Sequence, residues 1–257
     1  MTKNNEIVKK EEVMDLASFK IDSSLQAQVL ADSEGYDDGM GADELEIPRI
    51  KIVQALTKEV IKSSPKYIEG LDAGDTLNTL TKEIVKGGEP LYFVPSIRKI
   101  SYIEFSQDNK LINHFGSDSS VYDATAENDK GKRITASGSE IQKTQENFIQ
   151  VIDIKNGTSM PALFSARMYK MKAFNSTIRF SKVVEYAKVF KLVTKAESKD
   201  DNYWFGFDIS VVNDTLALPF GKEIYDSAKK FNESFSDTKI NIDYNDEEES
   251  SSDDDRV

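Results

Sequence analysis

The sequence predicts a mainly β protein with a few helices, in the α+β class. Three observations point there. β-Branched and aromatic residues alternate with polar ones in several separate stretches, most clearly over residues 89–105. Turn pairs such as Gly87-Gly88 and Asn156-Gly157 punctuate those stretches. Helical spacing is confined to two segments in the C-terminal half.

The elements are expected in this order. Residues 1–46 form an acidic, largely disordered segment, because residues 22–46 set Gly35, Gly39 and Gly41 among carboxylates with too little apolar surface to offset ordering. The folded domain is placed at 47–236. It opens with Ile47-Pro48-Arg49-Ile50-Lys51-Ile52-Val53, an alternating strand whose proline puts its start at an edge. A second strand falls within Gly74–Thr81. Residues 89–105 form the strongest strand, with Leu91, Phe93, Ile97, Ile103 and Phe105 on one face and Tyr92, Arg98 and Tyr102 on the other. The alternation breaks at Lys99 and Ile100, which predicts a bulge there. Residues 116–147 read as a long polar excursion. Residues 148–155 and 161–165 form a hairpin across a primed turn at Asn156-Gly157. Met168, Met171, Phe174 and Ile178 then predict a helix over roughly 168–187. A strand follows at 203–212 and a second helix at Gly221 to Phe235. Residues 237–257 are a disordered acidic tail.

Composition narrows the chemistry. The 257 residues contain no Cys and one His, which excludes disulfides, thiolate metal sites and paired-imidazole sites, and suggests a reducing compartment. No apolar run is long enough to span a membrane, and the N-terminus has no signal-peptide pattern, so a cytoplasmic location is expected. No phosphate loop is present. Gly39-Met40-Gly41 is a broken dinucleotide fingerprint among acids, and a calcium-loop frame through Gly39 puts Leu45 where a bidentate Glu belongs. His114 has no nucleophile context and reads as an ordinary surface or half-buried side chain. We therefore expect no catalytic residues, metal or cofactor.

The net charge of −12 is unevenly spread. Residues 1–46 carry −8 and residues 245–257 carry −6, leaving +2 for the middle. Within that middle, residues 165–195 hold eight Lys or Arg against Glu185 alone, a local +7. Single-stranded nucleic acid is held by cations that track phosphates and aromatic faces on which bases stack. Both types interleave at Tyr92, Arg98, Lys99 and Tyr102, and again at Arg167, Tyr169, Lys170, Lys172, Arg179 and Lys182. Phe174 and Phe180 are read as core rather than platform. Trp204 alternates away from Tyr203, Phe205 and Phe207, which predicts a partly exposed indole. The tail carboxylates Asp246, Glu247, Glu248, Glu249, Asp253, Asp254 and Asp255 form a flexible polyanion able to compete for a cationic groove.

Several short segments resemble the single-stranded DNA-binding proteins of tailed bacteriophages: Ile47 to Gln54, Gly74 to Thr79, Arg98 to Phe105, Pro161 to Ser165 leading into Lys170, Lys172 and Phe174-Asn175-Ser176, and the acidic tail. The resemblance implies an OB-fold-like Greek-key β-barrel between disordered acidic termini. It also implies sequence-independent binding of single-stranded DNA in phage replication or recombination, with the tail contacting replication or recombination proteins. The chain ends Asp255-Arg256-Val257 rather than in the aromatic residue common to such tails. Self-association into a homo-oligomer is left open. The competing reading is an acidic structural or interaction protein, such as a virion component, scaffold or DNA mimic, with no DNA-binding role.

Overall fold

The computed structural model describes residues 47–235 apart from positions 109, 130, 200 and 201. The expectations for 1–46 and for the tail, Asp246 to Asp255 included, lie outside the described residues. What is described is mainly β with three helices, its larger sheet curled into a half-barrel. The strands are β1 Ile50–Ile52, β2 Thr76–Asn78, β3 Ile84–Val85, β4 Pro90–Phe105, β5 Leu111–His114, β6 Ala126–Glu127, β7 Arg133–Ile134, β8 Glu140–Asp153, β9 Thr158–Arg167, β10 Lys188–Lys199 and β11 Asn202–Asp214. The helices are α1 Ser120–Asp123, α2 Lys172–Ser181 and α3 Gly221–Phe235.

β1, β2 and β3 form a small antiparallel sheet. The large sheet runs β11-β10-β4-β8-β7-β6, with β5 paired to β4 and β9 to β8. Its spine is the antiparallel pair β4 and β8, in register from Phe93↔Val151 to Phe105↔Glu140. One side of the sheet buries Phe93, Ile149, Phe164, Phe190 and Leu192 beneath Phe174 and Ile178 of α2. Phe93 stacks on Phe190 with ring centroids 5.7 Å apart, and Phe174 meets Phe190 edge-on at 4.9 Å. The other side buries Val94, Ile152 and Val189 beneath Ile224 and Ala228 of α3.

Five local expectations differ from the structure. The β4 bulge lies at Ser96, where the register against β8 slips between Pro95 and Ile97; Lys99 and Ile100 pair regularly with Glu146 and Gln145. Pro95 has no N–H to donate, so the ladder is weakest there. The extra residue inverts the alternation: Tyr92 packs with Val94 on the α3 side, whereas Arg98 bonds Asn175 on the α2 side. The expected common face of Tyr92, Arg98 and Tyr102 is therefore divided. Second, β8 begins at Glu140, inside the expected excursion, which itself carries α1, β6 and β7.

Third, the β8–β9 connection spans residues 154–157 between the paired Asp153 and Thr158. Only Gly157 there takes a positive φ, +68°, so the turn is not a primed two-residue one. The Asp153 carboxylate accepts the Lys155 and Asn156 amides and holds the wider loop. Fourth, the helix expected at 168–187 is a 3₁₀ turn at Met168–Met171 followed by α2. Lys182 leaves the helix at φ 53°, and the β-branched Val183-Val184 that follow favour extended backbone. Glu185–Ala187 form a further 3₁₀ turn, and β10 follows from Lys188. Fifth, Phe180 is 78 % exposed rather than part of the core. The second expected helix, Gly221 to Phe235, matches α3.

Candidate functional site

The 3₁₀ turn at 168–171 and the β10–β11 hairpin converge on one cluster of charges and rings. In the hairpin, Trp204 lies opposite Glu197 and Gly206 opposite Lys195. Period-two alternation sends Phe205, Phe207 and Ile209 toward the α2 core side and Trp204, Gly206 and Asp208 to the other face. Gly206 leaves the space that the Glu197 carboxylate occupies: a Cβ there would collide with Glu197 Oε1 and Cδ. Glu197 is thereby laid across the hairpin.

Glu197 Oε2 accepts hydrogen bonds from Trp204 Nε1 at 2.7 Å and from Lys170 Nζ at 2.9 Å. Lys195 stands 3.8 Å from Glu197 Oε1 and 2.7 Å from Asp208 Oδ1. The Lys170 ammonium lies 5.8 Å from the Trp204 ring centroid and 5.6 Å from that of Tyr169. Both are cation–π distances. Burial raises the Glu197 carboxyl, but hydrogen bonds from Lys170 and Trp204 and the positive charge nearby outweigh it, so its pKa falls below the usual carboxylate value. The Lys195 pKa is raised, chiefly by its hydrogen bond to Asp208. Tyr169 is half exposed and Tyr203 is 73 % exposed at the hairpin's end. Cations, aromatic faces and a removable internal anion are thus within one side chain of one another.

Of the residues expected in the site, the structure brings Tyr169, Lys170 and Trp204 together. Lys172, Arg179 and Lys182 project from the exposed surface of α2 and its C-terminus, beside the exposed Phe180. Arg167 ends β9 half-buried at the start of the 3₁₀ turn. Arg98 is held inside the fold, donating to Asn175 Oδ1 at 2.6 Å and Glu185 Oε1 at 2.5 Å. Lys99 is half-buried on β4. Tyr92 is half-buried in the α3-side cluster with Tyr186 and Phe220. Tyr102 is 6 % exposed, its ring tilted against Tyr122 with centroids 5.4 Å apart, with Lys143 over its ring. Neither Tyr92 nor Tyr102 offers an open ring face.

Sequence reasoning missed Glu197 and Asp208. Glu197 sits in the polar run Glu197 to Asn202 between two apolar stretches, a pattern that signals a hairpin and so a facing Trp204. The +7 of segment 165–195 is also partly neutralised by carboxylates of the hairpin, since Lys170, Lys188 and Lys195 pair with Glu197, Asp214 and Asp208. Among the described residues no group of three or more His, Asp or Glu could hold a metal ion, and no helix is long and apolar enough to cross a membrane.

Comparison with known proteins gives one match. A family model described as Pam3 phage gp34-like protein covers residues 20–241. No curated protein and no solved structure matches. The chain belongs to the family of Pam3 phage gp34-like proteins.

Proposed function

We propose that this phage-family protein binds single-stranded DNA without sequence specificity, as a non-enzymatic component of phage DNA replication or recombination. The observation that carries this reading is the cluster in which Lys170 lies over Tyr169 and Trp204 while both Lys170 and Trp204 are held by Glu197. Bases stack on the half-buried indole and the half-exposed phenol ring, phosphates pair with lysines, and an internal carboxylate occupies the phosphate position until nucleic acid arrives. The exposed cations Lys172, Arg179 and Lys182 continue a backbone track along α2. The curled antiparallel sheet supports an OB-fold-like reading of the domain. The acidic tail from Asp246 to Asp255 then competes with DNA for the cations and offers a charged handle to replication or recombination proteins.

Trp204 is the chain's single tryptophan, so its emission reports the site directly. Titration with oligo-dT should quench it, and log affinity should fall with log salt by about 0.7 per phosphate neutralised. Absence of binding even at low salt overturns the proposal. Removing residues 245–257 should raise DNA affinity, and an unchanged affinity refutes competition by the tail.

A second reading, an acidic structural or interaction protein, is favoured by the ion pairs that already neutralise Lys170, Lys188 and Lys195. It predicts that Trp204 emission ignores DNA at every salt concentration.

A further inference from the structure

We propose that the free edge of β11 is a homodimer interface, in which β11 pairs antiparallel with β11 of a second copy about a two-fold axis at Ile209. β11 ends the large sheet, and among the described residues it pairs with β10 alone. Its outer edge shows how it would receive a strand. The Gln54 side chain donates from Nε2 to the Phe205 carbonyl at 2.8 Å and accepts the Phe205 N–H on Oε1 at 2.9 Å. A single amide side chain thus satisfies Phe205 as a neighbouring strand would.

That clamp sets the phase of the edge. If Phe205 directs its backbone groups outward, so do Phe207, Ile209 and Val211, while Trp204, Gly206, Asp208 and Ser210 bond β10. The six outward N–H and C=O groups of Phe207, Ile209 and Val211 have no hydrogen-bond partner among the described residues. Pairing two copies about Ile209 satisfies all six, because Ile209 faces Ile209 of the partner subunit and Phe207 faces Val211 of the partner subunit. Asp208 then faces Ser210 of the partner subunit, so no like charges meet. At the next outward position Gln54 already holds Phe205, which limits the pairing to this stretch.

Natural edges are usually guarded by charge, proline or a covering element. Between Phe207 and Asn213 the only charged residue is Asp208, and it is engaged by Lys195. Val211 and Val212 of β11 and Leu216 just after it are 41, 46 and 59 % exposed. A second copy suits this edge better than the chain's own residues 1–46, whose net −8 would set carboxylates beside Asp208 and Asp214. The interface is independent of DNA.

The test is sedimentation equilibrium of the full chain without DNA, where the wild type should run at about twice 28.9 kDa. Val211→Pro removes an outward N–H and leaves the β10 ladder intact. Ser210→Asp places a second carboxylate against Asp208 of the partner subunit while facing Lys191 within its own chain. Both should weaken dimerisation at least tenfold, and Ser210→Lys should preserve it. A monomeric wild type overturns the proposal, as does a dimer that keeps its affinity in Ser210→Asp with an unchanged thermal melt. Should Val211→Pro fail to fold, the Ser210 pair decides.

Discussion

Glu197 lies 27 residues beyond Lys170 in the chain, yet one of its carboxylate oxygens, Oε2, accepts both the Lys170 ammonium and the Trp204 indole N–H. An anion so placed holds the cation and the ring together, and under the proposed function it stands where a nucleotide's phosphate would bind. Glu197→Gln should therefore raise affinity for oligo-dT at low salt by about fivefold, the equivalent of about 1 kcal/mol for one charge near 4 Å in a water-like medium. Fluorescence titration at two salt concentrations checks it. The gain should shrink at high salt, and a loss of affinity would show that Glu197 positions the site rather than competing for it.

Gly206→Ala tests the same contact without touching a charge. The new methyl would displace the end of the Glu197 side chain, a flexible group that can swing into solvent. We expect a stability cost below about 1 kcal/mol, a shift in Trp204 emission as its N–H partner leaves, and DNA affinity changed in the same direction as by Glu197→Gln.

Ring exposure separates Tyr169, half exposed beside Lys170, from Tyr102, buried in the fold, and the proposed function gives the two different consequences. Tyr169→Ala and Trp204→Ala should each weaken oligonucleotide binding by about 1–3 kcal/mol, measured by anisotropy of a labelled oligo-dT. Tyr102→Ala should instead cost about 3 kcal/mol of folding stability, because its ring is packed against Tyr122, and leave affinity per folded molecule unchanged. If Tyr102→Ala lowered affinity alone, the division between the two ends of β4 and the hairpin would be wrong.

His114 supplies a pH signature. Burial pushes its imidazole pKa below the usual value, the positive Arg49 lowers it further, and Glu146 opposes both. The folded state thus prefers neutral His114, so its contribution is full above about pH 6.5 and is lost as pH falls from there through the lowered folded pKa. As the only histidine, it gives one imidazole titration by NMR, with a midpoint below 6.5. His114→Gln should flatten the decline of melting temperature as pH falls below about 6.5.

The interior of β8 holds a carboxylate, Glu146, only 1 % exposed. Ser101 Oγ donates to Glu146 Oε1 at 2.8 Å, and Ser165 Oγ donates to Oε2. Ser101→Ala and Ser165→Ala should each cost about 1–3 kcal/mol in urea midpoints, since each takes a donor from a buried anion. A double mutant costing clearly more than the sum would show that the two hydroxyls substitute for one another.

Much of the fold is legible locally, and the site only in part. Alternation in 89–105, 161–165 and 203–212 locates β4, β9 and β11, and the spacing of Gly221 to Phe235 locates α3, because each depends on periodicity within one segment. The excursion at 116–147 hid the start of β8 because residues 140–147, Glu-Ile-Gln-Lys-Thr-Gln-Glu-Asn, are polar yet mostly buried, their amides paired with Asn175 and with one another. A hydropathy pattern cannot mark a strand whose buried side chains are polar.

The sequence by itself determined the segregation of charge, the β-rich class, the interleaving of Tyr169 and Lys170, and a partly exposed Trp204. Only the tertiary structure decided which of those groups meet. Pro95 and the bulge beside it turn Arg98 away from Tyr92, the hairpin lays Glu197 over Gly206, and the left-handed Lys182 ends α2 before the expected end at 187. Periodicity is a property of a few neighbouring residues. Register and ion pairing depend on hydrogen bonds between strands far apart in the chain, where one extra residue exchanges the two faces.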